Sequence, residues 1–349
     1  MSKLECVDFS VKYFGYDAAI SGVTTTFSSG INVFYAPEKS GKTSFLKGLA
    51  GIAPHTGAVT LDGEDLFALP PKARNVQMLF DDYALFSRRS ARYNLEYPLK
   101  LRKIPKAERR TRVEAVAELF DLDLMIDAPV YRLNEWHKVS LVLCRAYLRE
   151  AKVLLIDNIF SRLDPQSRRE AFLRFLPLFA ERGIVIYATD EVFEAESLSR
   201  EIKFLSCGYL LQEGAPQDFI EKPACSAAFS AFTDYATMLP CGLKKEGIML
   251  FDKEFPFDLS ALLSEEYYEK EVIAGFRPDD FLLSEDGFSA LIKGRFYYGN
   301  RIVYRLEKEG CTVWAFGESS WKVGEQVNVK PNRAPKLFDP INERSIVRY

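Results

Sequence analysis

The sequence predicts an α/β fold with a mainly parallel, helix-covered sheet, followed by a small β-domain. Four short apolar runs suit buried parallel strands, and stretches with helical spacing separate them. These runs are Ile31–Tyr35, Val76–Phe80, Val153–Ile156 and Ile184–Ala188. From about residue 271 the pattern changes to an alternation of apolar and polar residues, which indicates half-exposed strands. A chain of 349 residues is long enough for two such domains.

The helices between the apolar runs have recognisable faces and ends. Asp164 followed by Pro165 is a favourable helix start, because Asp caps the first turn and Pro fits within it. Pro177 lies further along the same helical pattern and is expected to kink or shorten the helix. The apolar residues at helical spacing in the preceding segment are Val113, Val116, Ala117 and Phe120.

The second domain is predicted to be built from antiparallel strands. Alternation is clearest at residues 302–306 and 312–316, which a turn at Glu309-Gly310 separates. The stretch from Ala227 to Lys245, with Pro240 and Gly242, is expected to hold the boundary. We therefore predict one domain over residues 1–235 and another over 236–349.

The composition excludes several classes of protein. With 46 basic and 49 acidic residues the net charge is -3, so the chain as a whole does not attract nucleic acid or an anionic membrane. No apolar run approaches the ~20 residues that span a bilayer, and the first residues lack the apolar segment of a signal peptide. The six cysteines are scattered, which favours buried thiols in a reducing compartment. We expect a cytoplasmic protein that does not bind nucleic acid.

A phosphate-binding loop follows the first apolar run. Residues 36–43 read Ala-Pro-Glu-Lys-Ser-Gly-Lys-Thr and lead into a helical pattern. In this strand–loop–helix arrangement, backbone N–H groups and the helix N-terminus point at an anion. Lys42 would contact the β- and γ-phosphates, and the Thr43 hydroxyl would bind magnesium. The predicted nucleotide-binding residues are Ala36, Pro37, Glu38, Lys39, Ser40, Gly41, Lys42, Thr43 and Ser44.

A carboxylate that suits magnesium ends another apolar run. Asp157 follows Val153–Ile156, where it can hold the ion through water, and Ser161-Arg162-Leu163-Asp164 comes shortly after. At this point the chain resembles the ATP-binding-cassette (ABC) ATPases, specifically the sugar-importer subunits of the maltose-importer type. The resemblance covers nearly the whole chain. Its other matching segments are Arg74–Phe80, Asp81–Phe86, Pro98–Lys103, Glu194-Ala195, Cys207–Pro216, Phe276–Asp280 and Leu337–Asp339.

The resemblance implies a fold and a set of contacts. The fold would be a P-loop ABC nucleotide-binding domain with a mixed, mainly parallel sheet and a helical subdomain at about 87–150, followed by a small OB-like regulatory β-barrel. Phe14 would be the adenine-stacking aromatic, although a core aromatic would look the same. Tyr83, Leu85 and Phe86 fall where the family receives the coupling helix of a permease, although they also suit a core.

The residues that the family uses for catalysis are mostly replaced. In the loop, Ala36 stands for Gly, and Glu38 and Lys39 stand for a small residue and a Gly, so we expect weakened binding of ATP. The glutamine that senses the γ-phosphate corresponds to Asp81. The glutamate that polarises the attacking water corresponds to Asn158, which cannot accept a proton, and such base catalysis is typically worth ~10²–10⁴-fold in rate. The switch histidine corresponds to Asp190, an acid that repels the γ-phosphate.

The family signature Leu-Ser-Gly-Gly-Gln is also replaced. It reads Leu133-Asn134-Glu135-Trp136-His137 here. The loss of both glycines prevents a close backbone approach to the nucleotide of the opposite subunit. A carboxylate at ~4 Å from a phosphate would add a repulsion of ~4 kcal/mol at an effective dielectric constant near 20. Alternatively, both side chains point away and Trp136 packs.

Three hypotheses follow from this pattern. The leading one is a nucleotide-binding subunit of an importer for a sugar or similar solute, impaired in hydrolysis, with ATP and magnesium as ligands. It would lie on the inner face of the cell membrane, dock on permease subunits, pair with a second, competent ATPase subunit and work indirectly with an extracellular solute-binding protein. The second is an active ATPase in which Asp81 or Asp190 supplies the base. The third is a regulatory or scaffolding protein that docks no permease.

Overall fold

The computed structural model describes residues 2–15, 18–70, 73–259, 263, 267–284, 286–318 and 320–347. The chain divides into two units, Met1–Glu213 and Gly214–Tyr349. This division comes earlier in the chain than the sequence-based boundary after residue 235. Two short helices before that residue group with the second unit. One of them carries Phe229, whose ring lies 6.1 Å from that of Phe338 in the β-domain.

The first unit combines ten strands with seven α-helices in the described part of the chain. The strands are β1 (Lys3–Lys12), β2 (Ala18–Ser28), β3 (Gly30–Tyr35), β4 (His55–Leu61), β5 (Glu64–Asp65), β6 (Val76–Leu79), β7 (Val153–Asp157), β8 (Ile184–Thr189), β9 (Ile202–Ser206) and β10 (Tyr209–Gly214). The helices are α1 (Lys42–Leu49), α2 (Ala91–Leu101), α3 (Lys106–Leu119), α4 (Glu135–Arg149), α5 (Pro165–Arg174), α6 (Leu176–Ala180) and α7 (Val192–Leu198).

A six-stranded sheet confirms the predicted parallel strands. Its order is β10-β9-β3-β8-β7-β6, and β9, β3, β8, β7 and β6 run parallel to one another. Tyr35 at the end of β3 lies beside Thr189 at the end of β8, and Asp157 at the end of β7 lies beside Ala188. The carboxyl ends of the central strands therefore meet at one edge, where ligands bind in open α/β sheets.

A second, antiparallel sheet covers the other side of α1. Its order is β2-β1-β4-β5. Aromatic rings fill the core of this region, and the rings of Phe34 on β3 and Phe45 on α1 stack 4.3 Å apart. Phe9 on β1 approaches Phe45 edge-on at 5.6 Å. This packing holds α1, and with it the phosphate-binding loop, between the two sheets.

The helical predictions are confirmed in detail. Helix α3 buries Val113 and Ala117, as the spacing predicts. Helix α5 begins after Asp164, whose side chain accepts hydrogen bonds from the backbone N–H groups of Gln166 and Ser167. Helix α5 ends at Arg174 and the short α6 begins at Leu176, with Pro177 in its first turn. The proline thus interrupts the helix, because it offers no N–H to continue the ladder.

The second unit is mainly β-structure. Its helices are α8 (Pro216–Glu221) and α9 (Ser226–Ala231), and its strands are β11 (Thr237–Lys244), β12 (Gly247–Leu250), β13 (Lys253–Pro256), β14 (Glu271–Phe276), β15 (Phe281–Ser284), β16 (Phe288–Tyr298), β17 (Arg301–Lys308), β18 (Cys311–Gly317), β19 (Gln326–Pro331) and β20 (Lys336–Phe338). They form two five-stranded sheets, β13-β12-β11-β14-β20 and β15-β19-β16-β17-β18. The predicted alternation corresponds to β17 and β18.

Strand β11 lies in the stretch that the sequence indicates as a boundary. It contains Pro240, which normally argues against a central strand. The paired residues of β11 and β12 begin only at Gly242, so Pro240 lies outside that ladder. On the other side Pro240 is opposite Ile273 of β14. The strand is therefore compatible with its proline, and the β-domain begins earlier than the alternation alone indicates.

Candidate nucleotide-binding site

The phosphate-binding loop connects β3 to α1 in the predicted order. Gly41 immediately precedes α1 with φ 100°, and a Cβ atom there would clash with the carbonyl oxygen of Ala19. Glycine is therefore required at this position. Lys39 also has a left-handed backbone, with φ 63°, at the position where the family has glycine. This conformation costs a residue with a side chain roughly 1–2 kcal/mol.

The loop is anchored at both of its ends. Ala36 is buried, and its N–H donates to the carbonyl of Thr189 at 3.0 Å. The carbonyl of Ser40 accepts from the N–H of Gly208 at 3.1 Å. Between these anchors Glu38 and Lys39 are exposed and Pro37 is half-buried. The side chains that replace the small residues of the family thus face solvent at the loop.

Lys42 forms an ion pair with Asp190. The distance from Lys42 Nζ to Asp190 Oδ2 is 2.8 Å, and Lys42 Nζ also donates to the carbonyl oxygen of Ala36 at 3.4 Å. The lysine that the sequence predicts for phosphate binding is therefore held by Asp190. The sequence predicted repulsion of phosphate by Asp190 but not this ion pair.

Asp157 and Thr43 lie together, as a shared magnesium site requires. The Thr43 hydroxyl donates a hydrogen bond to the Asp157 carboxylate. Burial raises the pKa of Asp157, while Thr43 and the charge of Lys42 act in the opposite direction. A buried carboxylate beside a hydroxyl offers the hard oxygen ligands that magnesium prefers. These residues therefore fit the ion.

The remaining catalytic positions lie around the same edge. Asn158 follows Asp157 with φ 52° and is half-buried. Asp81 is exposed, and its charge also raises the pKa of Asp157. The structure thus brings Asp81, Asp157, Asn158 and Asp190 to the loop. Three of these four residues are acids.

Phe14 is fully exposed in the turn after β1. The alternative that it belongs to the core is therefore wrong. The neighbouring Tyr13 was not singled out by sequence reasoning. Its hydroxyl donates to Ser44 Oγ at 3.4 Å, which ties this turn to the first turn of α1. The one sequence signal that could have indicated Tyr13 is that it is an aromatic residue next to Phe14, the predicted adenine-stacking residue.

The predicted signature segment, Leu133–His137, lies at the start of α4. Asn134 caps the helix by accepting from the His137 N–H at 2.8 Å, and Leu133 is buried. Glu135 Oε1 accepts from Lys138 at 2.7 Å, and this hydrogen bond is the main cause that lowers the pKa of Glu135. The half-buried Trp136 packs its ring 5.4 Å from that of Phe175. Glu135 and Trp136 thus both have partners within the chain, and Trp136 packs as the alternative predicts.

The predicted docking residues differ in accessibility. Tyr83 is only 3 % exposed, so its assignment as a docking contact is wrong. Its hydroxyl donates to Glu135 Oε2 at 3.1 Å, and Arg145 donates to the carbonyls of Tyr83 and Ala84 at 2.7 Å. Leu85 is half-buried, whereas Phe86 is 41 % exposed.

Phe86 is part of an exposed aromatic patch. Its ring lies 5.8 Å from that of Tyr93 and 4.9 Å from that of Tyr97, both on α2. The two tyrosines are exposed as well, and they lie four residues apart on one face of the helix. We name Phe86, Tyr93 and Tyr97 the α2 aromatic patch.

A buried ionic network lies behind Asp190. Glu194 on α7 accepts from Arg168 at 2.8 Å, from the Tyr187 hydroxyl at 2.7 Å and from the Thr189 hydroxyl at 2.5 Å. Arg168 also donates to the carbonyls of Ser161 and Leu163. The network therefore connects the end of β8 to the turn that precedes α5. The sequence matched Glu194 to the family but did not indicate its partners.

The strand, the loop and the helix define a P-loop nucleotide-binding protein. A family model described as ABC transporter matches residues 37–161. The chain is 30% identical to the Fe(3+) ions import ATP-binding protein of Photorhabdus laumondii over 279 residues, which cover 79% of this chain and 78% of that protein. It is also 30% identical to the trehalose/maltose import ATP-binding protein of Thermococcus litoralis over 284 residues, which cover 77% and 76%. The chain belongs to the ABC transporter family, as an ATP-binding subunit.

Other similarities agree with this assignment. The sn-glycerol-3-phosphate import ATP-binding protein of Bordetella avium is 28% identical over 361 residues, which cover 99% of both chains. The solved structure of the cbiO1 subunit from Clostridium perfringens covers 63% of this chain and 90% of its own, with a TM-score of 0.57 and 20% identity. The structural likeness shows the fold. In the described part of the chain, no helix has the length and apolar character needed to cross a membrane.

Proposed function

We propose that this chain is a nucleotide-binding subunit of an ABC importer for a sugar or similar solute, and that it binds ATP weakly and is impaired in hydrolysis. The observation that carries the proposal is that, at one edge of the sheet, the residues for binding nucleotide are retained and the residues for cleaving it are not. Lys42, Thr43 and Asp157 are retained, whereas Asn158 lacks a proton-accepting group and Asp190 pairs with the lysine. The site is thus equipped to hold a nucleotide without assisting its cleavage.

The residues of the loop would hold the ligand as follows. The backbone N–H groups of the loop and the start of α1 would face the phosphates. Thr43 and Asp157 would hold magnesium, which neutralises phosphate charge when it is bound. Phe14, which is exposed, is available to stack on a base. Asn158 can position a water molecule through its amide but cannot accept a proton from it.

Weak binding follows from charge and backbone conformation. Lys42 must give up or share its 2.8 Å ion pair with Asp190 before it contacts a phosphate. Glu38 adds a carboxylate to the loop, and Lys39 adopts a left-handed conformation that glycine adopts without strain. The ion pair and the Glu38 carboxylate each lower the affinity for a polyanion. Lys39 partly offsets the charge of Glu38.

Impaired hydrolysis requires a second subunit if transport is to be driven by ATP. In an ABC dimer of this family, each site joins the loop of one subunit to the signature of the other. Two copies of this chain would therefore combine Asn158 with the Leu133–His137 segment in both sites. A mixed dimer with a competent subunit would, in one site, combine that subunit's catalytic residues with the Leu133–His137 segment of this chain. We propose this heterodimer as the working form.

The α2 aromatic patch supports docking on permease subunits. Phe86 belongs to the segment that would receive the coupling helix, and Tyr93 and Tyr97 extend the exposed aromatic surface. Exposed aromatic residues that form one patch are typical of protein interfaces. The chain would thus lie at the cytoplasmic face of the membrane. An extracellular solute-binding protein would contact the permease, not this subunit.

Reconstitution with its partners tests the proposal. The chain would be co-expressed with its cognate permease subunits and second ATP-binding subunit, and ATP hydrolysis would be measured in the purified complex. We expect a stable complex whose turnover is lost when the catalytic glutamate of the second subunit is replaced by Gln. The matched change Asn158→Asp in this chain should leave the complex assembled. Turnover that persists without the second subunit's glutamate would show that this chain hydrolyses ATP.

A further inference from the structure

The carboxylate of Asp190 forms an ion pair with Lys42, the lysine that would contact the terminal phosphate of a nucleotide. We propose that this ion pair makes the site select nucleoside diphosphates over triphosphates. The inference rests on the proposed function, since it requires that the loop binds nucleotide. It adds the class of nucleotide that the free chain holds and names Asp190 as the residue that determines it.

The ion pair is well formed and partly shielded from water. The 2.8 Å separation is that of a charge-assisted hydrogen bond, and the side chains of Lys42 and Asp190 are 12% and 26% exposed. Pairs at such depth are screened by salt much less than surface pairs are. Lys42 also donates to the Ala36 carbonyl, so two of its three donors have partners before any ligand arrives.

The backbone on either side of Asp190 is fixed. Thr189 is fully buried, its carbonyl accepts from the Ala36 N–H at 3.0 Å, and its hydroxyl donates to Glu194. On the other side, the Glu191 N–H donates to the Thr189 hydroxyl at 3.0 Å. Asp190 is thus joined to the phosphate-binding loop itself. The backbone of Asp190 therefore holds a fixed position beside the loop that carries Lys42.

The charged groups around the Lys42–Asp190 pair do not compensate for the negative charge of Asp190. Asp81 and Asp157 are further carboxylates at the same edge, and Glu191 is exposed next to Asp190. Lys47 is a cation close enough to influence Asp157, and Lys39 is an exposed cation of the loop. A ligand that adds negative charge beside Asp190 therefore meets a net acidic surrounding, apart from the loop N–H groups and Lys42.

A nucleoside diphosphate and a nucleoside triphosphate would make different contacts with Lys42 and Asp190. In phosphate-binding loops the backbone cradles the inner phosphates, while the lysine reaches the β- and γ-phosphates. A diphosphate can use the backbone cradle and share Lys42 with Asp190. A triphosphate brings its terminal phosphate against the Asp190 carboxylate, and it must separate the ion pair or accept the repulsion. The carboxylate thus acts as a built-in substitute for the terminal phosphate.

Binding measurements on the full chain test the inference. Titration calorimetry with ADP and with ATP, both with magnesium, should give a Kd for ADP that is lower by about tenfold, which corresponds to ~1.4 kcal/mol. Asp190→Asn removes the charge but keeps the shape, and it should tighten ATP binding by about tenfold while changing ADP binding little. The matched control Asp123→Asn removes an exposed acid outside the site and should keep the preference for ADP.

The possible outcomes separate the two proposals. If the unmodified chain binds ATP as tightly as ADP, the inference is wrong while weak binding without cleavage stands. The inference is also wrong if Asp190→Asn strengthens the binding of ADP and of ATP equally. If neither nucleotide binds to any variant, both proposals are wrong. Asp190→Ser serves as a second charge-removing variant, with melting curves to verify folding, and the comparison on the unmodified chain requires no variant.

Discussion

The hydroxyl of Tyr83 donates a hydrogen bond to Glu135 Oε2 at 3.1 Å, and this contact joins the segment after β6 to the first residue of α4. Tyr83 and Ala84 both have positive φ angles, 65° and 43°, which residues with side chains rarely adopt. The guanidinium of Arg162 lies 5.2 Å from the Tyr83 ring centre. Glu135, in the predicted signature segment, therefore contacts a strained turn of this chain.

A double-mutant cycle measures this contact. Tyr83→Phe and Glu135→Ala each remove one partner of the hydrogen bond, so their effects on the free energy of unfolding should not add. We expect a coupling of about 1 kcal/mol from urea unfolding, because buried hydrogen bonds to charged groups have this order of strength. Additive effects within ~0.3 kcal/mol would contradict the contact.

The pH dependence of stability tests the environment of Glu135. Its pKa is lowered chiefly by the hydrogen bond from Lys138, with a further contribution from Tyr83. A lowered pKa in the folded state stabilises the protein above the unfolded-state pKa, and this stabilisation is lost as the pH falls through the folded-state value. Glu135→Gln should therefore lower the melting temperature more at pH 7 than near pH 3. The control Glu118→Gln, exposed on α3, should have a smaller effect at pH 7. An equal deficit at both pH values would contradict this prediction.

The buried network at Glu194 predicts a large difference between two neighbouring arginines. Arg168→Met leaves the carboxylate of Glu194, which is 1% exposed, without its cationic partner. Breaking such a pair costs about 3–5 kcal/mol. Arg169→Met removes an exposed arginine that lies over the Phe193 ring, and it should cost under about 1 kcal/mol. Chemical denaturation of both variants measures the contrast, and equal losses would show that the network contributes little.

Restoring the signature glycine at Trp136 should destabilise the chain. The Trp136 ring packs against Phe175 and the core around it. Trp136→Gly therefore leaves a cavity and adds backbone freedom, and we expect a loss of about 2–4 kcal/mol in unfolding free energy. Trp136→Phe keeps most of the packing and should lose about half as much. A glycine variant as stable as the unmodified chain would mean that the tryptophan is not a core residue.

The sequence was sufficient for the features that depend on local pattern. The four apolar runs correspond to four adjacent parallel strands, and the cap at Asp164 and the interruption at Pro177 follow from local chemistry. The partners of single side chains were not predictable. Tyr83 and Glu135 are 52 residues apart, and only the folded chain brings them into contact. For the same reason the motifs could not predict the burial of Tyr83 or the pairing of Lys42 with Asp190. A motif indicates which residue type occupies a position, but not where its side chain points in the folded chain.

The most direct test of the central claim follows the fate of bound ATP. The full chain would be incubated with magnesium and ATP labelled in the γ-phosphate, and bound and released products would be separated over an hour. Lys42→Ala supplies the background, because it removes the cation of the loop. We expect the unmodified chain to retain label that Lys42→Ala does not, to release phosphate no faster than this variant, and to yield its bound label as intact ATP. Release of labelled phosphate well above the Lys42→Ala background would contradict the claim that the site binds nucleotide without cleaving it.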